Sequence, residues 1–259
     1  MNLRGCVILI TGASSGFGAA TARRCGAAGA QLALAARSHT QLDALAAAIR
    51  KSGGEAVALP ADVTREHDVE RLVQATLARF GRIDVLVNNA GFGVLNSITE
   101  APVAELEEML AVNLVGAARC IRAVLPHMLE QRSGQIINMA SMAGLLGMRN
   151  FGYYGATKAA LIALTRSMQQ DLTGTGVRCV AICPGAARTP FFRRAHIERV
   201  PRTAFLIPWL SDDDVASAIV RAVARDSEGE ILLPALAHPL MRLANATPWL
   251  ARHIVRFFG

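Results

Sequence analysis

Tyrosine and lysine are nearly missing from this chain. Its 259 residues include only Tyr153 and Tyr154, and only Lys51 and Lys158, the other strong bases all being arginine. Charged residues make up 18% and hydrophobic residues 52%, a balance that excludes a disordered chain. The cysteines Cys6, Cys25, Cys120, Cys179 and Cys183 contain no Cys-x-x-Cys pair. That excludes a disulfide framework or zinc ribbon and predicts a reducing, cytoplasmic setting. The six histidines form no spaced cluster, so no metal site is expected. Aromatics are 5% and do not interleave with the basic residues, which argues against nucleic-acid binding. The apolar run Val7 to Ile10 is too short for a signal-peptide core, and no stretch is expected to reach transmembrane length. The net charge of +7 admits two readings. One is an acidic partner or an anionic membrane surface; the other is arginines scattered over helices.

Short apolar runs alternate with longer helical patterns. Strands are expected at Cys6 to Thr11, Gln31 to Ala36, Ala56 to Pro60, Ile83 to Asn88, Gln135 to Ala140, Val177 to Cys183 and Glu230 to Leu233. Helices are expected at Gly16 to Ala28, Gln41 to Lys51, Glu66 to Phe80, Val103 to Glu130, Tyr154 to Asp171 and Asp212 to Ala224. Repeated βαβ units with continuously apolar strands predict a sheet covered on both faces. The expected fold is α/β, a single doubly wound Rossmann-type domain with a mostly parallel seven-stranded sheet. Residues 1–234 would form it, with a covering segment at 186–211 and a tail extension at 235–259.

Thr11-Gly12-Ala13-Ser14-Ser15-Gly16-Phe17-Gly18 lies between the first strand and the first helix. Glycines there permit a tight turn and close approach of a pyrophosphate, which the helix N-terminus then meets with free N–H groups. The second strand ends at Ala36-Arg37, and no acid lies between Gln31 and Leu42. An acid there would hold the ribose hydroxyls of NAD(H); Arg37 suits the 2′-phosphate of NADP(H) instead, or stacks on the adenine. Asp62, beyond the third strand, has two readings, a bond to the adenine amine or a turn cap.

Tyr154 and Lys158 stand four apart, on one face of a helix. An ammonium beside a phenol is expected to lower the tyrosine pKa and make a usable proton donor and acceptor.

With these pieces placed, the chain resembles the classical short-chain dehydrogenase/reductase family over most of its length, from Gly5 to Pro234. Besides the glycine turn, the family's Asn-Asn-Ala-Gly appears as Asn88-Asn89-Ala90-Gly91. Its active-site asparagine matches Asn113, its serine matches Ser141, and its Pro-Gly turn matches Pro184-Gly185. The resemblance implies that Tyr154 exchanges a proton with the substrate oxygen and that Ser141 hydrogen-bonds the same oxygen. Lys158 would tune Tyr154 and hold the nicotinamide ribose, and Asn113 would position a water in a proton relay. It further assigns Gly12, Ser14, Ser15, Gly16, Phe17, Gly18, Arg37, Asp62, Val63, Asn89, Ala90, Gly91, Pro184, Gly185 and Thr189 to the cofactor. Asn88 and Asn89 are also expected to tie adjacent strands. The implied activity is an NADP(H)-preferring interconversion of a carbonyl and a secondary or primary alcohol on a hydrophobic small molecule. Lipid-, steroid- or retinoid-like compounds and acyl-carrier β-ketoesters fit. A non-catalytic dinucleotide sensor and a membrane-tethered interaction protein are the alternatives.

Residues 186–211 mix Phe191, Phe192, Phe205 and Trp209 with five arginines and match the family's substrate-covering segment. The tail from 248 to 258 reads as a basic amphipathic helix that lies in a membrane interface or docks on a subunit. The helices at 103–130 and 154–171 match the family's usual interface, implying a homodimer or homotetramer.

Overall fold

A computed structural model describes residues 1–187 and 209–236, together with the single positions 239, 243, 247 and 249. Thr189, most of the covering segment and most of the tail lie outside the described residues.

Seven strands form one sheet: β1 (Val7–Thr11), β2 (Gln31–Ala36), β3 (Glu55–Pro60), β4 (Val85–Asn88), β5 (Gly134–Met139), β6 (Val177–Pro184) and β7 (Gly229–Leu233). Their order is β3-β2-β1-β4-β5-β6-β7, and every pairing is parallel. The expected mostly parallel sheet is thus parallel throughout. The helices are α1 (Gly16–Ala27), α2 (His39–Lys51), α3 (Glu66–Phe80), α4 (Val103–Leu110), α5 (Ala117–Gln131), α6 (Gly152–Asp171) and α7 (Asp212–Ala224).

Side chains alternate across each strand and build two cores. Ile8, Ile10, Leu32 and Leu34 meet α1, α2 and α7 on one face. Leu9, Leu86, Ile136 and Cys179 meet α3, α5 and α6 on the other. The largest of these are fully buried, each contributing about 1.5–3 kcal/mol of transfer free energy. Cys183 packs beside Ala181 and Ile162, on the α6 side like Cys179.

Two expectations need correction. The helix expected at Val103 to Glu130 is interrupted by a π-helical turn at Ala111–Gly116 that separates α4 from α5. The whole run Val103–Gln131 is also long and apolar enough to cross a membrane by length and composition, at a mean hydropathy of 1.4. Its apolar content has a local cause: Cys120, Ile121, Val124 and Met128 on α5 are buried in the sheet core.

Candidate active site

The glycine turn is shaped by contacts that leave no room for side chains. Gly12 has φ +65°, and a β-carbon there would lie 2.8 Å from the Ala90 α-carbon. At Gly18 it would lie 2.6 Å from Asn89 Nδ2. Asn89 braces the turn, donating from Nδ2 to the carbonyls of Thr11 (3.0 Å) and Gly12 (3.1 Å). Thr11 Oγ1 accepts the backbone N–H groups of Asn89 and Ala90, each at 3.1 Å. At the start of α1, Ser15 makes no side-chain cap and the first turn has no acid. The N–H groups and positive helix end therefore fit a pyrophosphate pressed against the turn. Ser14 is half-buried and Ser15 exposed beside it, while Phe17 packs on the core below.

Arg37 is exposed just past β2. Across the β2–β3 edge, Asp62 accepts from the Thr64 backbone (2.9 Å) and hydroxyl (2.8 Å). Burial acts to raise its carboxyl, but the Thr64 bonds, with Arg37 and Arg65, outweigh it and hold the group below the usual range. Its Oδ1 therefore serves the turn. Val63 is buried and packs so closely on the π turn that a β-carbon at Gly116 would lie 2.7 Å from it.

The other half of the site gathers at the carboxyl ends of β4, β5 and β6, where parallel sheets of this kind bind ligands. Ser141 follows β5; its Oγ accepts from Ala143 N (3.1 Å), donates to Pro184 O (3.4 Å) and hydrogen-bonds Tyr154. Gly185 N donates to Leu233 O (2.7 Å), fixing the Pro-Gly turn on β7. One helix, α6, carries both Tyr154 and Lys158, and both are buried. Lys158 Nζ donates to Met139 O at 2.7 Å and lies 5.9 Å from the Tyr154 ring centroid. Asn113 sits on the π turn, 1% exposed. Its amide is tied to the Phe92 backbone, accepting its N–H (3.0 Å) and donating to its carbonyl (2.9 Å), and donates also to Thr157 Oγ1 (3.1 Å). Asn88 Nδ2 donates to Asn138 Oδ1 (2.9 Å), a tie between β4 and β5.

Electrostatics depart from the expectation for Tyr154. Burial pushes its phenol up to about 12, with only the Ser141 bond pulling the other way. Lys158 does not act as the expected perturber, because its ammonium points at the Met139 carbonyl and is itself buried, which lowers it to about 8.

Several site residues escaped the sequence reading. Thr157, Phe92 and Met139 hold the reactive side chains through bonds that have no motif of their own. Met109, Phe92, Val94, Met148, Phe151 and Tyr153 pack around Tyr154 as an apolar group. Only the adjacency of Tyr153 to Tyr154 and of Thr157 to Lys158 hinted at two of them.

The family model described as short chain dehydrogenase matches residues 6–199. A ketoacyl reductase from Nostoc sp. is 32% identical over 99% of this chain and 90% of its own length. A fatty acyl-CoA reductase from Acinetobacter baylyi is 34% identical over 95% of this chain and 80% of its own. The crystal structure of a short chain dehydrogenase/reductase from Burkholderia phymatum in complex with NAD superposes with a TM-score of 0.86, at 30% identity, covering 96% of each chain. The chain belongs to the short-chain dehydrogenase/reductase family. It is an oxidoreductase acting on CH–OH groups, with the family's dependence on a nicotinamide dinucleotide.

Proposed function

We propose that this protein reduces a hydrophobic carbonyl compound with NADPH, its reverse being oxidation of the corresponding alcohol. The observation that carries this reading is the buried corner in which Ser141 hydrogen-bonds Tyr154 while Lys158 lies one helical turn away. When bound, the dinucleotide supplies the hydride, and negative charge develops on the substrate oxygen. Tyr154 is protonated at neutral pH, its phenol being held near 12, so the acid form needed for reduction is the populated one. Ser141 donates to the developing oxyanion by turning its one proton away from the long bond to Pro184 O (3.4 Å). Lys158, near 8, keeps a cation beside the phenol and offers N–H groups to the ribose.

An apolar substrate fits the side chains that crowd Tyr154. The acyl chemistry in the names of the Nostoc and Acinetobacter relatives makes an acyl thioester or β-ketoester the first class to try. Arg37, exposed and free of any acid on its strand end, supports NADP(H) over NAD(H). The test is protection against thermal unfolding by NADPH and NADH, followed by NADPH oxidation with a panel of carbonyl compounds. NADPH-selective protection that Arg37→Asp converts to NADH-selective protection is expected. Protection by neither dinucleotide would sink the reading.

Charge bookkeeping supports a second element. Residues 188–208 carry a net +4 and residues 235–259 a net +3, the whole formal +7 of the chain. The remainder is balanced. Most of both segments lies outside the described residues; in the chain they follow the neighbouring strands β6 and β7. With Leu236, Leu243 and Trp249 exposed, this favours peripheral contact with an anionic membrane from a cytoplasmic setting. Val103, Val115 and Leu129 are exposed on the α4–α5 run and suit a homodimer or homotetramer.

A further inference from the structure

Thr157 lies between Tyr154 and Lys158 on α6, fully buried, with a hydroxyl that works in both directions. It donates to Tyr154 O at 2.8 Å and accepts Asn113 Nδ2 at 3.1 Å. Its one proton is thereby committed, so toward Asn113 it can only accept. Together with the Phe92 carbonyl it uses both amide hydrogens of Asn113, while Oδ1 accepts the Phe92 N–H.

Oδ1 also borders Gly91. A β-carbon built there would be 3.0 Å from Asn113 Oδ1 and 3.5 Å from Lys158 Nζ. The negative end of the amide and the lysine ammonium thus border the same small space. We propose that Thr157 is a positioning residue: its hydroxyl holds the Asn113 amide with Oδ1 toward Lys158, and this dipole keeps the buried ammonium charged.

The surroundings leave few groups to do that work. From α6 Lys158 faces the neutral phenol of Tyr154, and from β5 the Met139 carbonyl. From β6 the nearby titratable group is Cys183, whose thiol burial pushes up to about 12 and so keeps neutral. From the π turn comes Asn113, and from the segment after β4 comes Gly91. Among the described residues no carboxylate forms an ion pair with Lys158. Burial lowers its pKa to about 8, where a nearby oriented dipole changes the charged fraction measurably.

The inference rests on the proposed role of Lys158, but its test does not need turnover. The chain has two lysines, so lysine-selective isotope labelling of Lys51→Arg protein leaves one side-chain NMR signal, that of Lys158. Titration of the cofactor-free protein then reads its pKa directly. Thr157→Val should lower that value by about half a unit or more, and Thr157→Ser should restore it. A Thr157→Val protein with an unmoved Lys158, or a Thr157→Ser protein shifted as far as the valine variant, overturns the proposal. If Thr157→Val does not fold, Gly91→Ala places a methyl between the two groups and must lower the value; an unchanged value there also overturns it. A Thr157 effect on Lys158 in a protein that turns over no carbonyl compound would count against the proposed carbonyl reduction while leaving the positioning role intact.

Discussion

Around the glycine turn most contacts are made by backbone atoms and by missing side chains, braced by the Asn89 and Thr11 side chains; around Tyr154 they are made by buried polar side chains. Gly12 and Gly18 work because Ala90 and Asn89 come so near. Ser141, Tyr154, Lys158, Thr157 and Asn113 work because each bond is made by a particular functional group. The first half is sensitive above all to added volume, with Asn89 and Thr11 as its polar side-chain braces. The second is sensitive to chemistry even when volume is kept. The same sheet supports both, since β1 and β4 end at the turn while β4, β5 and β6 end at the catalytic corner.

Tyr154→Phe separates the halves most sharply. It removes only the proton donor, so kcat should fall by about 10²–10⁴ while dinucleotide protection against unfolding persists. Loss of that protection would mean the halves are one unit. Gly18→Ala makes the converse cut, pushing a methyl against the Gly12 carbonyl and the Asn89 amide. Dinucleotide affinity, measured calorimetrically, should drop about tenfold, or about 1.4 kcal/mol, with kcat at saturating cofactor little changed. A larger fall in kcat than in affinity would show that Asn89 transmits to the catalytic corner.

Stability itself should depend on pH. Burial raises all five cysteines from 9.0 to about 12. The folded state thus holds thiol protons that the unfolded chain releases, and stability present below pH 9 is lost as pH climbs toward 12. Lys158 acts oppositely: lowered from 10.5 to about 8, it costs stability below pH 8, and that cost is relieved as pH rises toward 10.5. Five thiols outweigh one lysine, so the urea midpoint should fall as pH climbs from 8 to 10, and Lys158→Met should steepen that fall. A midpoint that rises between pH 9 and 10 would contradict the buried-thiol assignment.

Much of this was legible in the residues. The expected strands agree with the observed ones within about two residues, because continuous apolar runs such as Val7 to Ile10 have few other uses in a doubly wound chain. The glycine turn was readable since only glycine tolerates φ +65° beside another strand. Tyr154 and Lys158 were visible by rarity and spacing. The π turn was not, since Ala111-Val112-Asn113-Leu114-Val115-Gly116 has an ordinary helical composition and the extra residue is stabilised by Phe92 and Thr157, far off in sequence. The phenol's direction of shift was also hidden: spacing shows that an ammonium is near, but not that the Met139 carbonyl holds it or how deeply both groups are buried.

The π turn has one more consequence, a matter of phase. An α-helix advances about 100° per residue, so one surplus residue re-indexes everything beyond it. Before the surplus, Met109 on α4 packs beside Tyr154; after it, Cys120, Ile121, Val124 and Met128 on α5 pack on the sheet. The rod from Val103 to Gln131 thus keeps two clocks, one set by the reactive corner and one by the sheet. Deleting a single residue between 111 and 116 would leave a straighter helix able to keep time with only one of them.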